Sequence, residues 1–275
     1  MKVAFQGLSG SYSEAAAASM FADDDLHTIS SPKQADIISK VQSGEVDYGV
    51  LRFKHGDNEV DFRTVQAIYD ADCFIVRDCT FHEAYNLAGH ADATEADIKR
   101  VYAHPTIMHI CRKFLEGHAD IDIIAKYDSA ESLADMINRG DQTEGTVTGD
   151  FAALRYGLNI VKRGIEDNKN GISRFVAVGS SQKSPEGNNP QTAVVFGLKH
   201  APGSLFSALS VFKDRNINMN GVISQPHADG QYAILVEFAG RSGDANVADA
   251  ISELKKDTTF LHMLGSYDSM EPRIP

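Results

Sequence analysis

The sequence predicts an α/β protein in two parts, an alternating strand–helix region followed by a βαββαβ sandwich. Three observations carry this. Short apolar runs alternate with helical stretches from the N-terminus to about residue 178. Ser180–Pro190 (Ser-Ser-Gln-Lys-Ser-Pro-Glu-Gly-Asn-Asn-Pro) then offers almost nothing to bury and breaks the alternation. After it, the order strand, helix, strand, strand, helix, strand fills the chain, as in a ferredoxin-like sandwich. The expected boundaries are 1–180 for the first part, 181–190 for a linker and 191–275 for the sandwich.

Residues 2–5 form the first expected strand and Gly7–Gly10 a tight loop. Ser11 or Ser13 caps a helix through Ala15–Ala18, with Glu14 in the first turn, where the helix dipole favours an acid. Further strands are expected near His27–Ile29, Tyr48–Leu51, Cys73–Val76, Arg100–Ala103, Ile121–Ile124, Gly145–Thr148 and Arg174–Val178. Helices lie between them, near Pro32–Ser43, Phe62–Asp70, Pro105–Leu115, Ser129–Asn138 and Asp150–Tyr156. The alternation implies mostly parallel strands, with ligands gathering outside their carboxyl ends. In the sandwich, Thr192–Leu198, Gly221–Ser224, Tyr232–Phe238 and Phe260–Ser266 are the strands, and Asp229-Gly230 turns the central hairpin. Its helices are Ser204–Lys213, with Leu205, Leu209 and Phe212 on one face, and Val247–Lys255.

Composition narrows the function. The chain has 275 residues, 43% hydrophobic and 23% charged, with a net charge of −12. That charge disfavours nucleic acid or an anionic membrane as partner, yet a small anion needs only a local cluster of cations. No apolar run approaches a membrane span, and the N-terminus lacks a signal-peptide body. Cys73, Cys79 and Cys111 are sparse and without ligand spacing, and the ten histidines are scattered, so no metal site is expected. A soluble, cytoplasmic protein with reduced thiols follows as the expectation.

Val3-Ala4-Phe5-Gln6-Gly7 with Gly10-Ser11-Tyr12-Ser13-Glu14, Asp47-Tyr48-Gly49-Val50-Leu51, His104-Pro105 with Cys111 and Phe114-Leu115, Tyr156-Gly157-Leu158, Ile165-Glu166-Asp167, Asn170 and Ser173-Arg174-Phe175 occur in one order. Together with Pro202-Gly203-Ser204-Leu205, Asn216-Ile217-Asn218 and Ile223-Ser224-Gln225-Pro226, they make the chain resemble the prephenate dehydratase family with its C-terminal ACT regulatory domain. The resemblance runs over essentially the whole chain. It implies a two-lobed, periplasmic-binding-protein-like catalytic domain and a dianionic substrate, prephenate. The implied reaction expels the ring carboxylate as CO₂ and the C4 hydroxyl as water, giving phenylpyruvate on the way to phenylalanine, without cofactor.

The sequence also departs from the family. Where typical members read Pro-Ile-Glu-Asn-Ser, this chain has Arg52-Phe53-Lys54-His55-Gly56. The helix start Ser-Thr-Ala becomes Asp128-Ser129-Ala130, the threonine of Thr-Arg-Phe becomes Ser173, and Glu-Ser-Arg-Pro becomes Ile223-Ser224-Gln225-Pro226. The resemblance implies that Ser173 donates to the leaving oxygen and that Arg174 forks onto a carboxylate, with His55 as a proton source. Gly10, Ser11, Tyr12, Ser13, Arg52, Lys54, Ser129 and Phe175 are the expected substrate contacts. Gly203, Ser204, Leu205, Ser224 and Gln225 are the expected effector site, bound weakly or not at all because a Glu–Arg pair is missing. The Gly7–Ser13 loop is equally an ordinary strand–helix turn, and Arg52–His55 equally a solvated face. His109 is expected to be packed or on the surface, and Cys111 buried and unreactive.

Three functions remain open from the sequence. The first is a carbon–oxygen lyase of the dehydratase type. The second is a carboxy-lyase that decarboxylates prephenate without aromatisation. The third is a non-catalytic receptor for a small anion. A homodimer or dimer of dimers is expected, because the sandwich leaves sheet edges for a second copy.

Overall fold

A computed structural model describes residues 1–22, 25–55, 60–126, 129–169, 171–227 and 231–270, without the side chains of 129–132 and 134. In the first lobe, β1 (Lys2–Gln6), α1 (Tyr12–Met20), β2 (His27–Ser31), α2 (Gln34–Gln42), β3 (Tyr48–Lys54), α3 (Phe62–Asp70) and β4 (Phe74–His82) follow in order. The chain then crosses into a second lobe of β5 (Asn86–Gly89), β6 (Arg100–Ala103), α4 (Pro105–Ile110), α5 (Arg112–Glu116), β7 (Asp122–Ala125), α6 (Ser129–Arg139), β8 (Glu144–Thr148), α7 (Asp150–Arg155) and β9 (Asn159–Lys162). It returns as β10 (Ile172–Gly179). The C-terminal unit is β11 (Pro190–Leu198), α8 (Ser204–Asp214), β12 (Met219–Pro226), β13 (Tyr232–Ala239), α9 (Ala245–Asp257) and β14 (Phe260–Ser269), in the expected βαββαβ order.

The first lobe and the C-terminal unit share one nine-stranded sheet, ordered β12-β13-β11-β14-β4-β10-β3-β1-β2, while the second lobe has its own, β7-β6-β8-β5-β9. The expected parallel pairing holds for β1 with β2 and β3 and for β6 with β7 and β8. It fails for β10, antiparallel to both β3 and β4, and for β5, antiparallel to β8 and β9. The physical reason is the double crossing: a strand returning from the other lobe enters the sheet from the opposite end. The helix expected over Pro105–Leu115 is broken at Cys111 into α4 and α5.

The segment between β10 and β11 is tied down. Arg241 donates from Nε to Pro185 O at 3.1 Å and from Nη2 to Gly187 O at 2.5 Å, and the Gly187 N–H donates to Asp268 at 2.6 Å. On α8 the buried face is Ala208, Val211 and Phe212, so Leu205 is exposed, contrary to expectation, as are Phe206, Val222 and Tyr232. The Asp229-Gly230 turn and Asn170 lie outside the described residues. Among the described residues no helix is long and apolar enough to cross a membrane.

Two crossovers between the lobes bond to each other. The Glu83 N–H donates to Gly171 O at 3.1 Å, the Ile165 N–H to Tyr85 O at 2.8 Å, and the Tyr85 N–H to the Glu166 carboxylate at 2.8 Å. These bonds fix the backbone on both sides of Glu83 and Tyr85 at the mouth between the lobes.

Candidate active site

The cleft between the lobes holds a cavity of about 190 Å³, open to solvent. Its first-lobe wall is the loop Leu8–Tyr12 with Arg52, and its second-lobe wall includes Ile107, Leu133, Thr146–Gly149 and Phe151. Tyr85 comes from the crossover. The loop is built for close approach. Gly10 has φ +86°, and a β-carbon there would meet Tyr156 at 3.0 Å and Ala152 at 3.1 Å across the cleft. The Tyr156 hydroxyl also donates to Ser9 O at 3.0 Å, joining the two walls.

The loop's own donors are partly used. The Ser11 side chain caps α1 by accepting from the Glu14 N–H, and the Gly10 N–H donates to the buried Glu14 carboxylate at 2.7 Å. Ser13 is buried. The Tyr12 hydroxyl donates to Ala84 O at 2.7 Å, bracing the crossover. Burial, reinforced by Glu83, pushes the Tyr12 phenol far above its ordinary value.

Beside the cleft lies a charge cluster built around Glu83, a residue that the sequence did not single out. Glu83, at the carboxyl end of β4, is buried, and its Oε2 is 3.1 Å from His55 Nε2 and 3.3 Å from the Tyr85 hydroxyl. Its Oε1 lies 3.5 Å from Arg52 Nη2 and has no hydrogen-bond partner among the described residues. The Ser173 hydroxyl also bonds the Glu83 carboxylate. Burial alone would raise this acid, but the hydrogen bond from His55, the charges of Arg52 and His55, and Ser173 together hold it below the usual carboxylate range. The sequence signal was modest: an acid just past an apolar strand, where α/β sites gather.

Strand alternation sorts the other expected residues. Successive residues of a strand point to opposite faces. Arg52 therefore faces the cleft side, its guanidinium 5.2 Å from the ring centre of Phe175. Phe175 itself is fully buried and serves as a base for Arg52, with no place in the cleft lining. Lys54 and His55 line an adjoining cavity with Gln6, Gln34, Arg52 and Arg63.

Ser173 and Arg174 do not share the cleft as expected. Ser173 is fully buried and lines neither of these two cavities, meeting the cluster at Glu83. Arg174 points to the other face, 5.2 Å from the Phe53 ring centre. There it pairs with Asp78 at 2.7 Å and Glu237 at 2.8 Å and donates to the Tyr267 hydroxyl at 2.9 Å. Its fork is spent on two protein carboxylates, so a substrate carboxylate finds no place on it. The side chain of Ser129 lies outside the described residues.

The remaining expected residues fall elsewhere. Gly203 caps α8 with φ +84°, and Leu205, Ser224 and Gln225 are exposed around α8 and the edge strand β12. Cys73, Cys79 and Cys111 are buried and form no disulfide. Burial, with Glu166 and Asp167 adding to it, pushes the Cys111 thiol up to about 12, which makes it a poor nucleophile. Among the described residues no three of His, Cys, Asp and Glu cluster to hold a metal.

A sequence model described as prephenate dehydratase matches residues 3–183. The chain belongs to the prephenate dehydratase family. The bifunctional chorismate mutase/prephenate dehydratase of Aquifex aeolicus is 29% identical over 269 residues, covering 97% of this chain and 73% of the relative. The prephenate dehydratase of Methanocaldococcus jannaschii is 30% identical over 187 residues, 66% of each chain. Among solved structures, the prephenate dehydratase of Arthrobacter aurescens in complex with L-Phe superposes with a TM-score of 0.83 at 25% identity, covering 98% of this chain and 90% of its own. GqqA, a quorum-quenching acylase, superposes equally well, TM-score 0.83 at 24% identity with 98% of each chain covered, a likeness of fold alone.

Proposed function

We propose that this family member is a prephenate-acting lyase that converts prephenate to phenylpyruvate by decarboxylating dehydration. The observation that carries the reading is Arg52. It stands at the wall of the cleft, stacked on Phe175, with Glu83 at 3.5 Å as its one acidic partner among the described residues. Its guanidinium holds the pyruvyl carboxylate of the substrate. The ring then lies against Leu8, Ile107, Leu133 and Phe151, where the ring carboxylate loses its charge as it leaves as CO₂. The second anionic group meets the α1 N-terminus at Ser11–Ser13, where the helix dipole favours negative charge.

In this reading Ser173 acts through Glu83 by holding its carboxylate from below. Arg174 anchors β10 to the C-terminal unit. That unit is an ACT domain, and the exposed Leu205, Phe206, Val222 and Tyr232 of one copy pack against a second copy in a homodimer. The Arthrobacter aurescens relative was solved with L-Phe. By analogy phenylalanine is the effector class here, bound near Gly203–Leu205 and Ser224–Gln225.

A second reading has one observation in its favour. Glu83 and His55 form a proton-bearing pair beside the cleft, which a decarboxylase could use to protonate a ring carbon without losing the hydroxyl. One assay separates the readings: incubate the purified chain with prephenate, and separately with its aminated analogue arogenate, and resolve the products. Phenylpyruvate supports the dehydratase. A hydroxylated dihydro acid supports the decarboxylase. Unchanged substrates in both arms overturn the lyase reading.

A further inference from the structure

We propose that Tyr85 is the cleft-side proton donor of the reaction, and that Glu83 re-supplies it from His55. The inference rests on the lyase reading above and adds the path of the proton. Expelling a hydroxyl needs a proton on the leaving oxygen. Ser173 is fully buried, lines neither of the two cavities described above and meets the cluster at Glu83. Tyr85 lines the cleft, and its hydroxyl lies 3.3 Å from Glu83 Oε2. The same oxygen is 3.1 Å from His55 Nε2. Because an ionised carboxylate only accepts, both neighbours donate to it, and His55 carries its hydrogen on Nε2.

The step balances as follows. The C4–O bond breaks with its electron pair on oxygen while the Tyr85 hydroxyl proton passes to that oxygen, and water leaves. The bond from the ring to its carboxylate breaks, its electron pair completes the aromatic ring, and CO₂ leaves. The Tyr85 oxygen takes a proton through Glu83 from a protonated His55, which regains one from solvent at its exposed edge. The phenol therefore never has to persist as a phenolate, which its buried surroundings oppose.

The charged and titratable neighbours agree with this path. From β3 come Arg52, facing Glu83 Oε1, and the adjoining Lys54. From α1 comes Tyr12, whose phenol is engaged with Ala84 O. From β10 comes the Ser173 hydroxyl, and from the second crossover comes Glu166, bonded to the Tyr85 N–H. Oε1 faces Arg52, and Oε2 is the oxygen that both His55 and Tyr85 reach, so the path runs through Oε2.

The experiment combines kinetics with a readout that needs no turnover. Tyr85→Phe, which removes only the hydroxyl, is expected to lower kcat by about 10²-fold with KM nearly unchanged, the usual scale of one positioned donor. Glu83→Gln is expected to lower kcat as far, because it replaces the carboxylate that joins His55 Nε2 to the Tyr85 hydroxyl. Wild-type conversion of prephenate with unchanged kcat in both variants overturns the relay alone and leaves the lyase reading standing. If the wild type converts no prephenate, the lyase reading fails, and NMR still tests the relay. The arrangement requires a slowly exchanging His55 Nε2–H resonance that Glu83→Gln removes, and its absence from the wild type overturns the relay whatever the substrate.

Discussion

Two arginines on adjacent strands show how one local pattern yields two different jobs. Arg52 of β3 stacks on Phe175 of β10, and Arg174 of β10 stacks on Phe53 of β3, each 5.2 Å from the ring centre. The pairs lie on opposite faces of the same two strands. On the cleft face, Arg52 keeps 34% of its side chain exposed and, among the described residues, has one acid, Glu83, at 3.5 Å. On the other face, Arg174 keeps 19% and is clamped by Asp78, Glu237 and Tyr267. A cation is available to a ligand only where the protein has not already neutralised it. Arg174 ties the returning strand to β4, β13 and β14, and so joins the first lobe to the C-terminal unit. Arg52, on the face where the lobes open, is left with charge to offer.

That contrast can be broken from either side. Arg174→Leu should be the most damaging change, since it strands two buried carboxylates. A loss of about 3–5 kcal/mol in denaturant unfolding is expected, the scale for breaking a buried pair. Glu83→Gln should cost about 1–3 kcal/mol at neutral pH by disturbing a buried hydrogen-bonded acid. Its pH dependence sharpens the comparison. Glu83 is held below its ordinary value in the folded chain, against the pull of burial, by the His55 hydrogen bond and the charges of Arg52 and His55. Its stabilising contribution is therefore complete above the unfolded carboxylate range, about pH 4–5, and is lost as pH falls through the folded value. Unfolding of wild type and variant across pH 3–7 should show a gap that is widest near neutrality and closes in acid. Tyr267→Phe should have the smallest effect, about 1 kcal/mol for one hydroxyl's bonds, read as a small drop in Tm. A Tyr267→Phe loss equal to that of Arg174→Leu would mean that the phenol, and not the ion pairs, holds the joint.

Much of this architecture was legible in the residues. The helix over Phe62–Asp70 and the βαββαβ order follow from apolar periodicity and turn chemistry, and both are observed. The missed strands β5 and β9 pair antiparallel with each other at one edge of the second sheet, outside the strand–helix alternation that the sequence shows. The antiparallel return of β10 depends on the path between lobes, which local pattern does not encode. At the site, alternation separates Arg52 from Phe53 correctly, and the same rule already puts Ser173 and Arg174 on opposite faces. The family motif treats those two residues as one unit, and the strand does not. Glu83 stayed hidden because a single acid after an apolar run gains meaning only when His55, Arg52 and Ser173 arrive from other strands.

The most direct test of the account is the steady-state KM for prephenate in Arg52→Met and Arg174→Lys, measured beside the Tm of each variant. The account predicts that Arg52→Met raises KM about 10-fold or more, as loss of a charged contact to the substrate would. Arg174→Lys should lower Tm while leaving KM within about twofold, because its fork serves the protein and not the ligand. A large rise in KM in Arg174→Lys, with none in Arg52→Met, would contradict the account and return the substrate's carboxylate to Arg174.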